Sequence, residues 1–191
     1  MNKKYFFNRS VFKGLAAVFV LCMILFIPRQ LEAQISAEAE KAFQEAGIRI
    51  LKNRQDPVNI TLPMLGGGNA SLSSYKGKVV ILNFWATWCP PCRSEMPSME
   101  TLYQRFKNRG LEILAVDLGE DRDEVQQFIN SNRYTFPVLL DAGGKASTQY
   151  GVSAIPTTYI LDKEGKIIGK IVGSIRWDNP KIITAFEALL K

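Results

Sequence analysis

The feature of this sequence that most limits its fold is a pair of cysteines, Cys89 and Cys92, at the boundary between two contrasting patterns. Before the pair, residues 79–85 read VVILNFW, and a nearly continuous apolar run of this kind predicts a strand buried on both faces of a sheet. After it, from about Pro91 to Lys107, large apolar residues recur three or four positions apart, which predicts a helix. The two cysteines therefore lie where a buried strand ends and a helix begins.

The rest of the chain also alternates between strand and helix patterns. Strands are predicted at Val58–Leu62, Val79–Trp85, Leu111–Val116, Phe136–Leu140, Thr157–Leu161 and Lys166–Val172. Helices are predicted at Asp121–Ser131, at Lys145–Tyr150 as a single turn, and after an N-cap at Asp178. Five acidic residues between positions 117 and 124 are predicted to form the solvated start of the helix that they precede. This order of elements predicts an α/β fold with a mixed central sheet.

The composition restricts the chemistry available to the cysteine pair. Histidine is absent from all 191 residues, which excludes an imidazole base, a Cys-His pair and any zinc or copper site that contains histidine. The chain has three cysteines, and an all-thiolate zinc site takes four. Reversible thiol–disulfide chemistry is therefore favoured for Cys89 and Cys92, with no metal and no cofactor other than their own disulfide. A purely structural disulfide is disfavoured, because so short a loop restricts the unfolded chain little.

The position of the pair also indicates how it reacts. The unpaired N–H groups and the dipole at a helix N-terminus stabilise a thiolate and lower the pKa of a thiol placed there. Cys89 is at this position, so we expect it to be the nucleophile that attacks a substrate disulfide. Cys92 follows almost one helical turn later, from where its thiol can attack the sulfur of Cys89 and release the substrate.

The N-terminal segment is typical of an exported protein. Residues 1–13 carry four basic side chains and no acid, and residues 14–27 are an uninterrupted apolar or glycine run. Residues 1–33 are therefore predicted to be a signal peptide or a membrane anchor, and residues 11–27 reach the lower length limit of a spanning helix. The cleavage site after Ala33 is weak, which favours an anchor, but both alternatives stay open. Either one predicts an extracytoplasmic protein, in the periplasm or on the outer face of the cytoplasmic membrane.

The same segment accounts for most of the net charge. The formal charge is +6, but residues 1–33 hold five basic residues and one acid, and the rest of the chain has a net charge of only +2. We therefore expect no nucleic-acid partner. Residues 34–57 are predicted to be a connector, with a short helix that starts after Ser36 and ends at Gly47 and a turn from Asn53 to Pro57. Residues 58–191 are predicted to be the folded domain.

A family resemblance extends this interpretation. Residues 83–97 read NFWATWCPPCRSEMP and resemble the active-site segment of the thioredoxin-like TlpA/ResA family of redoxins. Residues 75–78, 136–141 and 150–158 support the resemblance, which extends from about Val58 to the C-terminus. It implies a thioredoxin-like fold, with helices flanking a mixed central sheet, and a thiol–disulfide oxidoreductase that is exported or anchored to a membrane.

The resemblance also assigns roles to individual residues. It implies that Cys89 is the attacking thiol and Cys92 the resolving one, and that Pro156 is the cis-proline opposite the dithiol. Ile155 would then offer backbone hydrogen bonds to an extended substrate, and we expect Trp88 to shield the dithiol.

Two further positions bear on proton transfer. Thioredoxins proper carry a buried aspartate where this chain has Asn83, so that proton acceptor is missing here. Glu95 lies three residues after Cys92 on the same face of the predicted helix and matches an acidic residue of the ResA-like branch. We therefore predict that Glu95 tunes the cysteines and relays protons; the alternative is an acid placed in the first helical turn by the helix dipole.

The expected activity is the reduction of disulfides in exported substrate proteins. An oxidant role would use the same residues and differ only in redox potential, which the Pro90-Pro91 pair influences but does not reveal. In resembling proteins the substrate is often apocytochrome c, and a membrane thiol transporter supplies the electrons. Two alternatives use the same fold: a redoxin-type thiol peroxidase and a copper chaperone. The peroxidase would need a Pro-x-x-x-Thr-x-x-Cys arrangement, which is absent before Cys89. The copper chaperone would use Cys-x-x-x-Cys with a histidine, whereas this chain has Cys-x-x-Cys and no histidine.

Overall fold

The computed structural model describes residues 38–191, with only the backbone described at Lys52. Its centre is a six-stranded mixed sheet of β1 (Ile50–Gln55), β4 (Val79–Trp85), β5 (Leu111–Asp117), β6 (Val138–Leu140), β7 (Thr157–Leu161) and β8 (Ile167–Val172). The strands lie in the order β1-β8-β7-β4-β5-β6. Strand β4 is parallel to β5, and β5 to β6, while the pairs β4–β7, β7–β8 and β1–β8 are antiparallel. A separate two-stranded ribbon consists of β2 (Thr61–Pro63) and β3 (Asn69–Ser71).

Helices and the ribbon cover the two faces of the sheet. Helix α1 is described over residues 38–45, and it is followed by α2 (Pro90–Phe106), α3 (Arg122–Asn132), α4 (Lys145–Gln149) and α5 (Pro180–Leu189). Residues of α1, α2, α3 and α5 share one core cluster, whereas α4 and the ribbon contribute to a second cluster. The two clusters lie on opposite sides of β4, because successive side chains of a strand point to opposite faces. Val79, Ile81 and Trp85 belong to the first cluster, and Val80, Leu82 and Phe84 to the second.

Most of the predicted elements are confirmed. Strands β4 and β7 have the predicted bounds, and α2, α3, α4, β5, β6 and β8 differ from prediction by two residues or fewer at each end. The nearly continuous apolar run of β4 is buried along its whole length, as expected for a central strand.

The predictions near the start of the domain are partly wrong. Asn53 to Gln55 were assigned to a turn in the connector, but they belong to β1, which forms the edge of the main sheet against β8. The mainly polar sequence of this strand concealed it, because residues 53–55 are exposed at the edge. The strand predicted at Val58–Leu62 is shorter and lies in the ribbon and not in the main sheet.

The residues before β1 also contribute to the core. Phe43 of α1 is buried, and its ring makes an edge-to-face contact with Phe186 of α5 at a centroid distance of 5.2 Å. Part of the predicted connector therefore packs against the last helix of the chain. The turn at Gly47, which follows α1, has a φ of +80°, a conformation that glycine adopts without strain.

The cap of the last helix is shifted by one residue. Asp178 was predicted as the N-cap of α5, but Asn179 caps it by accepting a hydrogen bond from the N–H of Lys181. Asp178 instead pairs with the guanidinium of Arg176. Pro180 occupies the first helical position, which needs no N–H donor.

The prediction of a signal peptide or anchor at residues 1–33, with a spanning part at residues 11–27, lies outside the described residues. The same holds for Ser36. Between residues 38 and 191, no helix combines the length and the apolar character required to span a bilayer.

Candidate active site

The cysteine pair lies at the N-terminus of α2, directly after the loop that follows β4. Cys89 is the N-cap residue, and its Sγ accepts a hydrogen bond from the backbone N–H of Cys92 at 3.2 Å. The two cysteines form a disulfide with their Cα atoms 5.3 Å apart. Pro90 and Pro91 occupy the first helical turn, where a missing N–H costs no helical hydrogen bond. The sulfur of Cys89 thus lies where unpaired amides favour negative charge.

The Ile155–Pro156 segment lies against the pair. The peptide bond between these two residues is cis, as the family resemblance implied. Cys89 Sγ is 3.8 Å from the carbonyl oxygen of Ile155. This approach follows from the sheet, since β7 begins at Thr157 and pairs this residue with Phe84 near the end of β4. The antiparallel register therefore brings residues 155–156 to the end of β4 from which the dithiol loop leaves.

The exposure of the predicted site residues is uneven. Cys89 is 3% exposed and Cys92 is completely buried. Ile155 is half-buried and Pro156 is buried. Trp88 is 65% exposed, so a large aromatic surface stands in solvent immediately before the buried cysteine. Whether it shields the dithiol stays a prediction.

Glu95 is buried in the second turn of α2 and not exposed in its first turn. It is 1% exposed, which disagrees with the alternative of a surface acid placed by the helix dipole. Three donors contact its carboxylate: Asn83 Nδ2 at 2.9 Å, the N–H of Ile175 at 3.2 Å and Trp177 Nε1 at 3.2 Å. Burial raises the pKa of Glu95 to about 7, because the loss of hydration outweighs these three hydrogen bonds, which lower it. A carboxyl group with such a pKa can accept or release a proton near neutral pH.

Asn83 connects this carboxyl group to the sheet. Its Nδ2 donates to Glu95 and also to Thr158 Oγ1, the latter at 2.8 Å. Asn83 Oδ1 is buried and has no hydrogen-bonding partner among residues 38–191. A neutral amide therefore occupies the position of the missing carboxylate, and Glu95 is the ionisable group that it contacts.

Three contributors to this site were missed from the sequence. Trp177 was not assigned a role, yet its side chain is buried and donates to Glu95. Asp117 and Glu120 were assigned to a solvated helix start. Instead, Asp117 is the last residue of β5 and is completely buried, and Glu120 accepts two hydrogen bonds from Thr87. The signal for Asp117 was its place at the end of an apolar strand, next to the strand that carries the dithiol.

The described residues contain no cluster of three or more cysteine and acidic side chains that could hold a metal ion. Residues 54–170 match the sequence model of the AhpC/TSA family. The chain belongs to the AhpC/TSA family.

Two relatives of the chain are thiol-disulfide oxidoreductases named ResA. The thiol-disulfide oxidoreductase ResA of Bacillus subtilis is 40% identical over 130 residues, which are 68% of this chain and 73% of that protein. The ResA protein of Bacillus anthracis is 44% identical over 115 residues, which are 60% of this chain and 66% of that protein. The chain thus spans about two thirds of the length of these relatives.

Solved structures agree with the fold. StoA of Bacillus subtilis is 30% identical, with a TM-score of 0.58, and the match covers 67% of this chain and 97% of that one. A thiol:disulfide interchange protein of the thioredoxin family from Chlorobium tepidum is 26% identical, with a TM-score of 0.65, and the match covers 74% of this chain and 99% of that one. The predicted thioredoxin-like fold, the resemblance to the ResA type and the enzyme class of thiol–disulfide oxidoreductases are confirmed. The roles of the six predicted site residues stay predictions.

Proposed function

We propose that this chain is an exported, membrane-anchored thiol–disulfide oxidoreductase that reduces disulfides of substrate proteins through Cys89 and Cys92. The observation that carries the proposal is the position of Cys89. Its sulfur caps α2 by accepting a hydrogen bond from the backbone N–H of Cys92, and it lies 3.8 Å from the carbonyl oxygen of Ile155. This geometry supports an attacking role for Cys89 and a resolving role for Cys92, beside a backbone segment that would bind an extended substrate.

The reaction transfers two electrons by two exchange steps. In the reduced enzyme the Cys89 thiolate attacks one sulfur of a substrate disulfide, which forms a mixed disulfide and releases the first substrate thiolate. The Cys92 thiol then loses its proton and attacks Cys89 Sγ, which forms the Cys89–Cys92 disulfide and releases the second substrate thiolate. The described disulfide is the product of this half-reaction.

Glu95 is suited to manage the protons of these steps. Since burial raises its pKa to about 7, a large fraction of the carboxyl groups is ionised and a large fraction protonated at neutral pH. We propose that it accepts a proton when the dithiol ionises and returns it when the substrate thiols are released. Its three hydrogen-bond donors fix the orientation of the ionised carboxylate.

The substrate is proposed to bind over the face formed by Trp88, Ile155 and Pro156. Trp88 offers an exposed aromatic surface next to Cys89. Ile155 is half-buried before the cis bond and offers its backbone to an extended chain. A disulfide in a flexible segment fits this arrangement better than one inside a folded core, because the cysteine beneath it is only 3% exposed.

The location is inferred from the N-terminal sequence, and the partners from the resemblance to the TlpA/ResA family. A basic segment followed by the apolar residues 14–27 supports export, with residues 11–27 as the anchor. For an enzyme on the outer face of a membrane, oxidised apocytochrome c is the proposed substrate, and a membrane thiol transporter is the proposed electron donor.

Trapping of the mixed disulfide tests this function. Cys92→Ser removes the resolving thiol, so the reduced full-length variant should form a stable adduct with an oxidised Cys-x-x-Cys-His peptide. Cys89→Ser is the matched control and should form none. Adducts with insulin but not with the peptide would indicate a general disulfide reductase and oppose a role in cytochrome c maturation. Failure to form either adduct would overturn the proposal, and peroxide consumption or copper uptake by the wild type would then support the alternatives.

A further inference from the structure

One carboxylate holds the loop that carries Trp88 and Cys89. The backbone N–H of Thr87 donates to Glu120 Oε2 at 2.6 Å, and the Thr87 hydroxyl donates to Glu120 Oε1. Thr87 lies two residues before Cys89, between the end of β4 and the start of α2. A single side chain therefore binds both polar donors of the residue at which the chain turns from the sheet to the dithiol.

Glu120 is held in turn by Asp117. The backbone N–H of Glu120 donates to Asp117 Oδ1 at 3.1 Å. Gly119 lies between them with a φ of +77°, and this left-handed conformation lets the chain turn back over the end of β5. Strands β4 and β5 end side by side, with Trp85 opposite Asp117 in the parallel register. The turn therefore delivers Glu120 to the loop that follows β4.

The environment of Asp117 favours its neutral form. Asp117 is completely buried, and when it is ionised its Oδ2 lacks a donor within residues 38–191. Burial raises the pKa of Asp117 to about 8, with further upward contributions from the side chain of Glu120 and from Asp141, against the N–H of Glu120, which lowers it. A protonated Asp117 has an O–H that can donate to Glu120. The proton satisfies the buried oxygen of Asp117.

We propose that Glu120, held by the buried carboxyl group of Asp117, is a positioning residue for the dithiol. It fixes Thr87 and thereby the orientation of Trp88 and Cys89 at the N-terminus of α2. This inference rests on the proposed role of Cys89 as the attacking thiol. Disulfide exchange requires close alignment of the reacting sulfur atoms, so a loosened loop slows the reaction even when the fold is intact.

The test compares charge-neutral and conservative variants of the full chain. Thr87→Val removes the hydroxyl without changing any charge, whereas Thr87→Ser keeps both donors. Asp117→Asn supplies a permanent amide donor in place of the protonated carboxyl group. Glu124→Gln on the exposed side of α3 is the matched control for Glu120→Gln, because it removes one negative charge near the same helix start. Two rates are measured: reduction of an oxidised Cys-x-x-Cys-His peptide, and alkylation of Cys89 by iodoacetamide at pH 7.

Thr87→Val and Glu120→Gln should each slow peptide reduction by about tenfold, and the double variant should be no slower than the slower single variant. Thr87→Val should also slow alkylation by about threefold, because Cys89 is less well held at the helix N-terminus. Thr87→Ser, Asp117→Asn and Glu124→Gln should stay within about twofold of the wild type. Whether Glu120→Gln speeds or slows peptide reduction is informative. The loss of a nearby negative charge alone would favour the Cys89 thiolate and speed the reaction.

Wild-type rates in Thr87→Val, a faster rate in Glu120→Gln, or an Asp117→Asn variant as slow as Glu120→Gln would each overturn the inference. Unfolding by urea distinguishes a positioning role from a purely structural one, because the latter lowers stability and leaves the rates of the folded enzyme unchanged. A wild-type chain that does not reduce the peptide would contradict the proposed function. The alkylation rate of Thr87→Val would then still decide whether the contact between Glu120 and Thr87 positions Cys89.

Discussion

Glu95→Gln is expected to remove a large part of the pH dependence of folding stability between pH 5 and pH 8. The pKa of Glu95 is raised in the folded chain, so the folded state binds the proton more tightly than the unfolded state does. This contribution to stability is fully present below the ordinary pKa of the group and is lost as the pH rises through the folded pKa of about 7. The wild type should therefore become less stable relative to the variant as the pH rises.

The structure sets the size of this effect. The pKa of Glu95 rises from 4.5 to about 7, and each unit corresponds to about 1.4 kcal/mol, so the difference in unfolding free energy should change by about 3 kcal/mol over this range. Glutamine keeps an acceptor oxygen but brings an amide toward the donors Asn83, Ile175 and Trp177. That mismatch lowers the stability of the variant by an amount that does not depend on pH, so the slope and not the offset is the observable.

The assay is urea unfolding of the oxidised full chain at half-unit intervals from pH 5 to pH 8. The disulfide keeps both cysteines from titrating, and the chain has no histidine, so few groups other than Glu95 change charge in this range. Asp117 is one of them, and repeating the series in an Asp117→Asn background removes its contribution. A difference between wild type and Glu95→Gln that is constant from pH 5 to pH 8, or that grows in favour of the wild type with rising pH, would refute the reasoning.

Three further outcomes follow from the same structure. Trp177→Phe removes a hydrogen bond that lowers the pKa of Glu95, so the loss of stability with rising pH should extend to higher pH in this variant than in the wild type. If urea unfolding gave the same dependence of stability on pH for both proteins, the indole contact would not act on Glu95. Asp117→Asn should gain stability relative to the wild type as the pH rises through about 8, because the folded state favours the neutral form of Asp117. Urea unfolding at pH 6 and pH 9 measures this difference, and a variant that loses stability relative to the wild type between these pH values would contradict the prediction. Phe43→Ala should cost about 3–5 kcal/mol of stability through the cavity left against Phe186, whereas a loss below about 1 kcal/mol would mean that α1 is not part of the core.

The pattern that predicted the fold was strongest where the chain is buried on both sides. Strand β4 was predicted with its observed bounds, because a nearly continuous apolar run of this length admits few interpretations. Strand β1 was missed, because an edge strand can be polar, and its hydrogen bonds to β8 come from residues more than a hundred positions away. Local sequence carries no trace of such a pairing.

The candidate site also contains some features that local sequence predicts and others that depend on residues distant in sequence. The cysteine pair, Pro156 and the acid at position 95 follow from local motifs and from the family resemblance. The burial of Glu95 does not, since two of its donors, Ile175 and Trp177, are 80 and 82 residues distant in sequence. The link from Asp117 through Glu120 to Thr87 depends on the register of β4 against β5, which only the folded sheet defines.

A single-turnover measurement of electron transfer tests the central claim most directly. The reduced full chain is mixed with one equivalent of an oxidised Cys-x-x-Cys-His peptide, and the thiols of both partners are counted by mass after acid quenching and alkylation. Reduction through Cys89 and Cys92 predicts that each peptide gains two thiols while each enzyme loses two and acquires the Cys89–Cys92 disulfide. A peptide that stays oxidised, or that is reduced equally well by Cys89→Ser, would contradict it.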